Sequence, residues 1–202
     1  IEPTTIPHAL LGLMKDPGHA LVPYLHVPLQ SGSNHVLGLM KRRYTREEYL
    51  EFVQMAWETV PDVGLGTDVL VGTPGETDRD FEATCELLET SPLQYAHVFK
   101  YSERQGTAAC RYPDKVDGQV KNRRSAQIRR ISAGKRKAFF QRHLGTTMDV
   151  LFETAEEGYW SGYTENYIRV AARSDACLEN QVRSVRLDEV RGDFVLGTLH
   201  DQ

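Results

Sequence analysis

The sequence predicts an α/β chain: the second half of a partial parallel (β/α) barrel, followed by a small all-β barrel. Three observations carry this. Short apolar runs alternate with amphipathic helical stretches in the first part of the chain. A long basic stretch comes next. From Thr146 onward the chain breaks into short β-rich runs divided by turn residues. The 202 residues suffice for one large domain or two smaller ones, and the pattern places a half barrel with its basic helix at 1–143 and a β domain at 144–202.

Each element has its own signal. Residues 24–29, "YLHVPL", form an apolar strand that ends in Gln30-Ser31-Gly32-Ser33-Asn34. Over 46–59, Leu50, Val53, Trp57 and then Val60 recur at helical spacing. Thr45 supplies the N-cap, Glu48 its capping-box partner, and Pro61-Asp62 the stop. Residues 63–71, "VGLGTDVLV", read as a buried strand with one carboxylate. After "GTPGET", Thr77 caps a helix with Asp80 at its third position and Phe81, Cys85 and Leu88 inward. Residues 95–101 give a third strand, followed by the loop "SERQGTAA".

Helices between successive strands permit right-handed crossovers, so the sheet is expected to be parallel. With the tail of a further strand at Ile1, this makes half a barrel. Such a half is expected to expose sheet edges and an apolar lumen, and to be poorly stable alone. The opening Ile1-Glu2-Pro3 and the absence of an initiator Met predict further sequence upstream. Residues 116–143 read as one helix with a sparse stripe of Val120, Ile128, Ile131, Ala138 and Phe139, interrupted at Gly134. The runs "MDVLFE", "YWSGY", "NYIRVAAR", "QVRSVRLDEV" and "DFVLGTLH" predict a small OB-like barrel.

Composition narrows the function. An apolar fraction of 40% and a charged fraction of 26% suit a globular chain. No apolar run approaches the ~20 residues of a membrane span and no signal peptide opens the sequence, so the expectation is a cytoplasmic protein with no membrane partner. Cys85, Cys110 and Cys177 fit neither a disulfide framework nor a metal cluster, and Cys85 fits a helix core. Net charge is −4, yet residues 118–148 contain no Asp or Glu and carry Lys121, Arg123, Arg124, Arg129, Arg130, Lys135, Arg136, Lys137 and Arg142. A basic stretch on an acidic chain points to a polyanion.

In parallel α/β folds ligands sit beyond the C-terminal ends of the strands. Those ends carry Gln30-Ser31-Gly32-Ser33, Gly72-Thr73-Pro74-Gly75-Glu76, and Ser102 with Gly106-Thr107. Each loop alone is also ordinary turn chemistry; together they suggest a pocket with donors, acceptors and close backbone approach. Asp68 stands inside an apolar strand, where a carboxylate needs a partner; Glu2 is a weaker candidate of the same kind. His8, His26 and His97 lack metal-ligand spacing. His26 and His97 fit a lumen-facing position, with a hydrogen-bonded core histidine as the plainer reading. Lys41, Arg42 and Arg43 suit either a solvated helix end or phosphate contacts. Tyr159, Trp160, Tyr163 and Tyr167, with Arg169 and Arg173, suit stacking on unpaired bases, part of them serving as core.

The stretches "HVPLQSGSNHVLGLMKRRYTREEY", "GTDVLVGTPGETDRDFEAT" and "HVFKYSERQGTAA" resemble, in order, motifs of the radical S-adenosylmethionine methylthiotransferases. The likeness runs over nearly the whole chain, and the β domain resembles the TRAM domain of that family. Enzymes of the family add a methylthio group to adenosine 37 in the tRNA anticodon loop or to a ribosomal-protein aspartate. "GYTENYIRV" and the linker after "ERQGTAA" look most like the branch acting at C2 of N6-threonylcarbamoyladenosine; the isopentenyladenosine and ribosomal-protein branches are the alternatives.

The resemblance implies S-adenosylmethionine at the strand ends, near Gln30, Ser31, Asp68, Gly72, Tyr101 and Ser102. It makes tRNA, with no DNA partner, the polyanion expected on the basic residues Lys41, Arg42, Arg43, Arg129, Arg130, Arg136 and Arg169. It further implies two [4Fe–4S] clusters, one of them reducing S-adenosylmethionine to a 5′-deoxyadenosyl radical with electrons from a donor the sequence does not name. The family's CxxxCxxC motif is absent from this sequence, so the clusters' ligands and the sulfur-donating domain are expected upstream, and the chain alone is expected to be inactive. Thr73 stands where an aromatic residue is usual and Gln105 where Pro is usual. The contrasting readings are a non-catalytic RNA-binding module and a structural α/β domain without RNA.

Overall fold

The computed structural model describes residues 2–16 and 18–200. Strands β1 (Tyr24–His26), β2 (Gly64–Val71) and β3 (Tyr95–Lys100) form a parallel sheet in that order. Helices α1 (Ala9–Lys15), α2 (Asn34–Leu39), α3 (Arg46–Thr59), α4 (Asp78–Thr90) and α5 (Gly118–Arg142) complete this part. Alternation along the strands decides the packing. Leu65, Val69 and Val71 of β2 and Val98 of β3 face a core built with Leu11, Leu37, Tyr49, Phe52, Val53, Phe81, Leu87, Leu88 and Ile128. Both predicted capping boxes form: Thr45 with Glu48 opens α3, and Thr77 with Asp80 opens α4. Cys85 is buried in this core.

The first strand is shorter than 24–29, for a physical reason. Pro28 offers no N–H to the ladder. Across the gap the Thr67 hydroxyl accepts from the Leu29 N–H (2.9 Å) and donates to the Val27 carbonyl (2.8 Å). The chain rejoins β2 at an isolated parallel bridge between Gln30 and Val69. Ile1, expected as the tail of another strand, lies outside the described residues, and Glu2 precedes a short 3-10 turn at Pro3–Thr5.

Two expectations about the half barrel need correction, the first at one edge only, since β1 has no strand beyond it among the described residues. The edge of β3 is not left bare, because α5 lies along it. Ser132 Oγ accepts from the Ala96 N–H (2.8 Å) and donates to the Ala96 carbonyl (3.1 Å), and Arg129 Nη2 donates to the Val98 carbonyl (2.8 Å). Nor is the face away from the helices apolar. It carries Tyr24, His26, Asp68, Tyr95 and His97, with the exposed Phe99 beside them. Gly134 does not interrupt α5. Its propensity cost of about 1 kcal/mol is outweighed by the contacts of Ile128, Ser132, Phe139 and Phe140, all buried.

Beyond α5, β4 (Thr147–Glu156), β5 (Tyr159–Thr164), β6 (Arg169–Arg173), β7 (Gln181–Arg191) and β8 (Phe194–Leu199) close a barrel in the order β4-β5-β6-β8-β7. Only the β6–β8 pairing is parallel among these strands. Val150, Phe152, Ile168, Val170, Val185, Leu187 and Val195 fill it, and Phe139 and Phe140 plug it from α5.

The two parts are stitched at Asn166, which is 1% exposed. Its amide donates to the Asp62 carbonyl (3.1 Å) and lies 3.3 Å from His143 Nε2, while its Oδ1 accepts from Thr164 Oγ1 (2.6 Å). His143 Nδ1 is 2.9 Å from the Phe139 carbonyl, which can only accept. The partners therefore assign the proton to Nδ1 and leave Nε2 to accept from Asn166. The Arg142 guanidinium lies over the Trp57 ring, 4.6 Å from its centroid.

Candidate functional site

At the C-terminal ends of the strands lies a cavity of about 470 Å³, lined by Gln30, Asp68, Phe99, Tyr101, Ser102 and Arg104 among others. Local backbone chemistry places the first of these. Gln30 adopts φ 68°, a left-handed conformation uncommon for a residue with a side chain. It is held there by two backbone bonds to β2, Gln30 N–H to the Asp68 carbonyl (2.8 Å) and Leu70 N–H to the Gln30 carbonyl (2.9 Å). Asp68 Oδ1 is 2.9 Å from His26 Nε2, and both side chains remain about a quarter exposed. The partner Asp68 needs is thus a lumen-facing histidine, which joins the two readings offered for His26. Tyr101 Oη is buried without a hydrogen-bond partner among the described residues. The ring of Tyr101 lies beneath Lys121 Nζ, 5.2 Å from the centroid.

Two residues expected at this cavity are turned elsewhere. Ser31 is 1% exposed, and its hydroxyl pairs with Thr84 of α4 at 3.3 Å. Thr84 Oγ1 also accepts from the Gly32 N–H (2.9 Å), and Ser33 Oγ donates to Asp80 Oδ1 (2.5 Å). The polar run after β1 is therefore bolted to α4, with Gln30 alone of Gln30–Ser33 reaching the cavity. Gly72, at φ 76°, packs on the Lys121 side chain and donates its N–H to Glu76 Oε2 (2.6 Å). Glu76 in turn pairs with Arg124 Nη1 (2.6 Å), and the two side chains are 2% and 5% exposed. Burial is the largest influence on Glu76 and pushes its carboxyl up; the Gly72 N–H and Arg124 pull it back without cancelling that push. Asp80 goes the other way. Burial alone would raise it, but bonds from Ser33, the Thr77 hydroxyl and N–H, and His35 outweigh burial and hold it at about 2.

The basic residues divide by location. Lys41, Arg42 and Arg43 follow α2, with Arg42 3.8 Å from Glu2. Arg129 is tied to the β3 edge as described, Arg130 is exposed, and Arg169 pairs loosely with Asp193 (3.4 Å). Arg136 and Arg169 come together on a second cavity of about 220 Å³ between the sheet and the barrel. Among the described residues no group of three or more His, Cys, Asp or Glu is arranged to hold a metal ion. No described helix is long and apolar enough to cross a membrane.

Reasoning from sequence missed Asp80, Arg124 and Asn166 as positioning residues. Asp80 and Arg124 were legible only as a cap and as one basic residue among many. Asn166 stood inside a stretch noted for its likeness, with no signal for a role between the two parts.

Residues 2–88 match the model of the Radical SAM superfamily. A tRNA-2-methylthio-N(6)-dimethylallyladenosine synthase of Desulfotalea psychrophila is 41% identical over 163 residues, 80% of this chain and 36% of that protein. The protein of the same name from Agrobacterium fabrum is 40% identical over 152 residues, 75% of this chain and 33% of that one. The threonylcarbamoyladenosine tRNA methylthiotransferase MtaB of Aquifex aeolicus is 39% identical over 150 residues, 74% of this chain and 36% of that protein. The chain spans about a third of the length of the curated relatives it matches. A strand-end cavity on a parallel sheet thus stands beside a Radical SAM superfamily match over residues 2–88, and relatives named as tRNA methylthiotransferases are similar to this chain along most of its length.

Proposed function

We propose that this chain is the C-terminal part of a tRNA methylthiotransferase, holding S-adenosylmethionine at the strand ends and tRNA on α5 and the β-barrel. The observation that carries the reading is the convergence of Gln30, Asp68, Tyr101 and Ser102 on one cavity. That cavity lies within the size range of small-molecule sites, about 300–1,000 Å³. Its chemistry suits the cofactor: a carboxylate for ribose hydroxyls or an amine, an amide and a hydroxyl for polar edges, an exposed Phe99 for a purine, and a buried Tyr101 hydroxyl lacking a partner. In this family S-adenosylmethionine, once reduced, supplies the oxidant that activates the carbon to be modified. The residues of this chain do the rest of the local work. Asp68, fixed by His26, presents a charge of set direction; Gln30 presents its amide from a pinned backbone; and Gly72 lets Lys121 close over the loop.

On this reading the ligands of the two [4Fe–4S] clusters lie upstream, the barrel is a TRAM-like RNA module, the protein works in the cytoplasm, and the position modified is adenosine 37. The dimethylallyl and threonylcarbamoyl relatives differ little in similarity, at 41% and 39%. The resemblance of "GYTENYIRV" to the threonylcarbamoyl branch supports that form. Nucleoside mass spectrometry of tRNA from cells lacking the gene tests it. Loss of the methylthio group from threonylcarbamoyladenosine is expected. Its loss from the dimethylallyl nucleoside would overturn the branch, and unchanged tRNA would overturn the function.

A further inference from the structure

Between β3 and α5 the chain runs through a loop, residues 101–117, that brings a cation to the strand-end cavity. Arg104 lines that cavity, is exposed, and makes no side-chain hydrogen bond or ion pair among the described residues. Its backbone is the opposite. The Arg104 carbonyl accepts from the Thr107 N–H (3.2 Å), from Thr107 Oγ1 (2.8 Å) and from Cys110 Sγ (2.7 Å). We infer that Arg104 receives a phosphate flanking the target nucleotide of the bound tRNA, and so positions that nucleotide over the cofactor site. The inference rests on the tRNA reading above, and it holds for either nucleoside branch.

The loop is built to hold this residue still. Gly106, at φ 86°, makes the turn inside it in a conformation that a side chain would strain. Lys115 pairs with Glu103 (2.7 Å), Tyr112 Oη donates to the Leu39 carbonyl (3.3 Å), and the Gly75 N–H donates to the Asp114 carbonyl (3.0 Å). The loop is thus fastened to the end of α2 and to the loop after β2. A guanidinium with all its donors free on a pinned backbone is pre-organised for an anion, because little backbone ordering is left to do on binding.

Charge and place choose the ligand. Lys100 lines the same cavity, with its Nζ donating to Asn122 Oδ1 of α5 (2.9 Å), and Lys121 Nζ lies over the Tyr101 ring. Asp68 is already held by His26, and Glu103, next to Arg104, by Lys115. The corner therefore offers positive charge without a carboxylate to spend it on. A guanidinium meets a phosphate through two parallel N–H···O bonds, which a lysine cannot do. Contacts of that kind fix register rather than read sequence. Arg104 stands past the end of β3, on the side where α5 covers the sheet edge, whereas on the partial-barrel reading further strands join beyond β1. Its place does not depend on a sheet face left bare, and it continues onto the helix that carries the RNA in the reading above.

The test uses the full-length protein and an anticodon stem-loop RNA, titrated by fluorescence anisotropy across a salt series. Arg104→Met is expected to weaken binding roughly tenfold and to lower the salt slope by about one, the signature of one lost phosphate contact. The substitution leaves the Arg104 carbonyl and its three donors in place, and matching melting curves check the fold. Replacing single phosphates beside the target adenosine by neutral methylphosphonates locates the contact. At one position the replacement should weaken the unaltered protein as much as Arg104→Met does, and should add nothing in the variant. Arg104→Lys should restore the salt slope but only part of the affinity. Unchanged affinity and slope in Arg104→Met, or losses that add at every phosphate, would overturn the assignment while leaving the tRNA reading intact. Weaker S-adenosylmethionine binding by equilibrium dialysis, with RNA affinity unchanged, would give the guanidinium to the cofactor carboxylate and overturn it too. Absence of RNA binding by the unaltered protein would remove the tRNA reading itself.

Discussion

Arg124→Met should cost more than its place in a basic helix suggests. Arg124 Nη1 donates to Glu76 Oε2 (2.6 Å) and to the Glu76 carbonyl (3.2 Å), and Nη2 donates to Asp78 Oδ1 (2.7 Å). Asp78 is exposed and keeps water if the guanidinium is removed. Glu76, 2% exposed, does not. Stranding one member of a buried pair costs roughly 3–5 kcal/mol, and the remaining Gly72 N–H bond puts this case near the lower figure, about 3 kcal/mol. For a chain of this size that is a fall in melting temperature of roughly 6–12 °C.

The pH dependence has a definite sign. The Glu76 carboxyl is raised from its ordinary 4.5 by burial, so its favourable contribution is complete below that value and is lost as pH rises through the folded one. Removing Arg124 raises the folded value further, so the deficit of the variant should grow from acid toward pH 8. Adding Glu76→Gln removes the stranded charge and should recover most of the loss. Urea unfolding followed by circular dichroism at acid and alkaline pH measures all three proteins. A deficit below about 1 kcal/mol that is the same at every pH would refute the reasoning.

Other outcomes follow from the same contacts. Asp80, folded at about 2 against an ordinary 3.8, contributes stability above about pH 4 that is lost as pH falls toward 2. Asp80→Asn should flatten that limb of the acid unfolding curve, while an unchanged limb would assign it to other carboxylates. Gly32→Ala would drive a Cβ to 2.6 Å from Thr84 Cα and 2.7 Å from the Ala83 carbonyl, both backbone atoms. The loop must then part from α4, with a loss of roughly 1–3 kcal/mol in thermal unfolding. The chain alone, given iron and sulfide, should show no visible absorbance of a stoichiometric cluster, since Cys85 is buried and three cysteines spread along the sequence do not converge.

Much of the architecture was legible because local signals agreed with it. Thr45 and Thr77 mark helix starts by short-range chemistry, and strand–helix alternation fixes a parallel sheet. What failed was long-range. Gly134 reads as a break only while Ser132 and Phe139 are unpartnered. The β3 edge reads as bare until α5 is laid along it. For the candidate site, Asp68 was visible as a carboxylate in an apolar run, but its tie to His26 spans 42 residues. Ser31 and Gly32 carried the composition of a ligand loop and are used to fasten one helix. A polar run at a strand end does not say which of its members turn outward; the partner Thr84, on another element, decides that.

Helix α5 also acts as a ruler. Arg124 anchors it beside the strand-end loops and Phe140 anchors it inside the barrel. Sixteen residues separate them, about 24 Å at 1.5 Å each. One residue inserted between these anchors would swing the far end by about 100° and slide it by 1.5 Å. Ser132 and Arg129, or Phe139 and Phe140, would then lose their seats together. Loops away from the Asp62–Asn166 seam can lengthen without moving the barrel relative to the strand ends. This helix cannot, and the separation of the two cavities is written in its residue count.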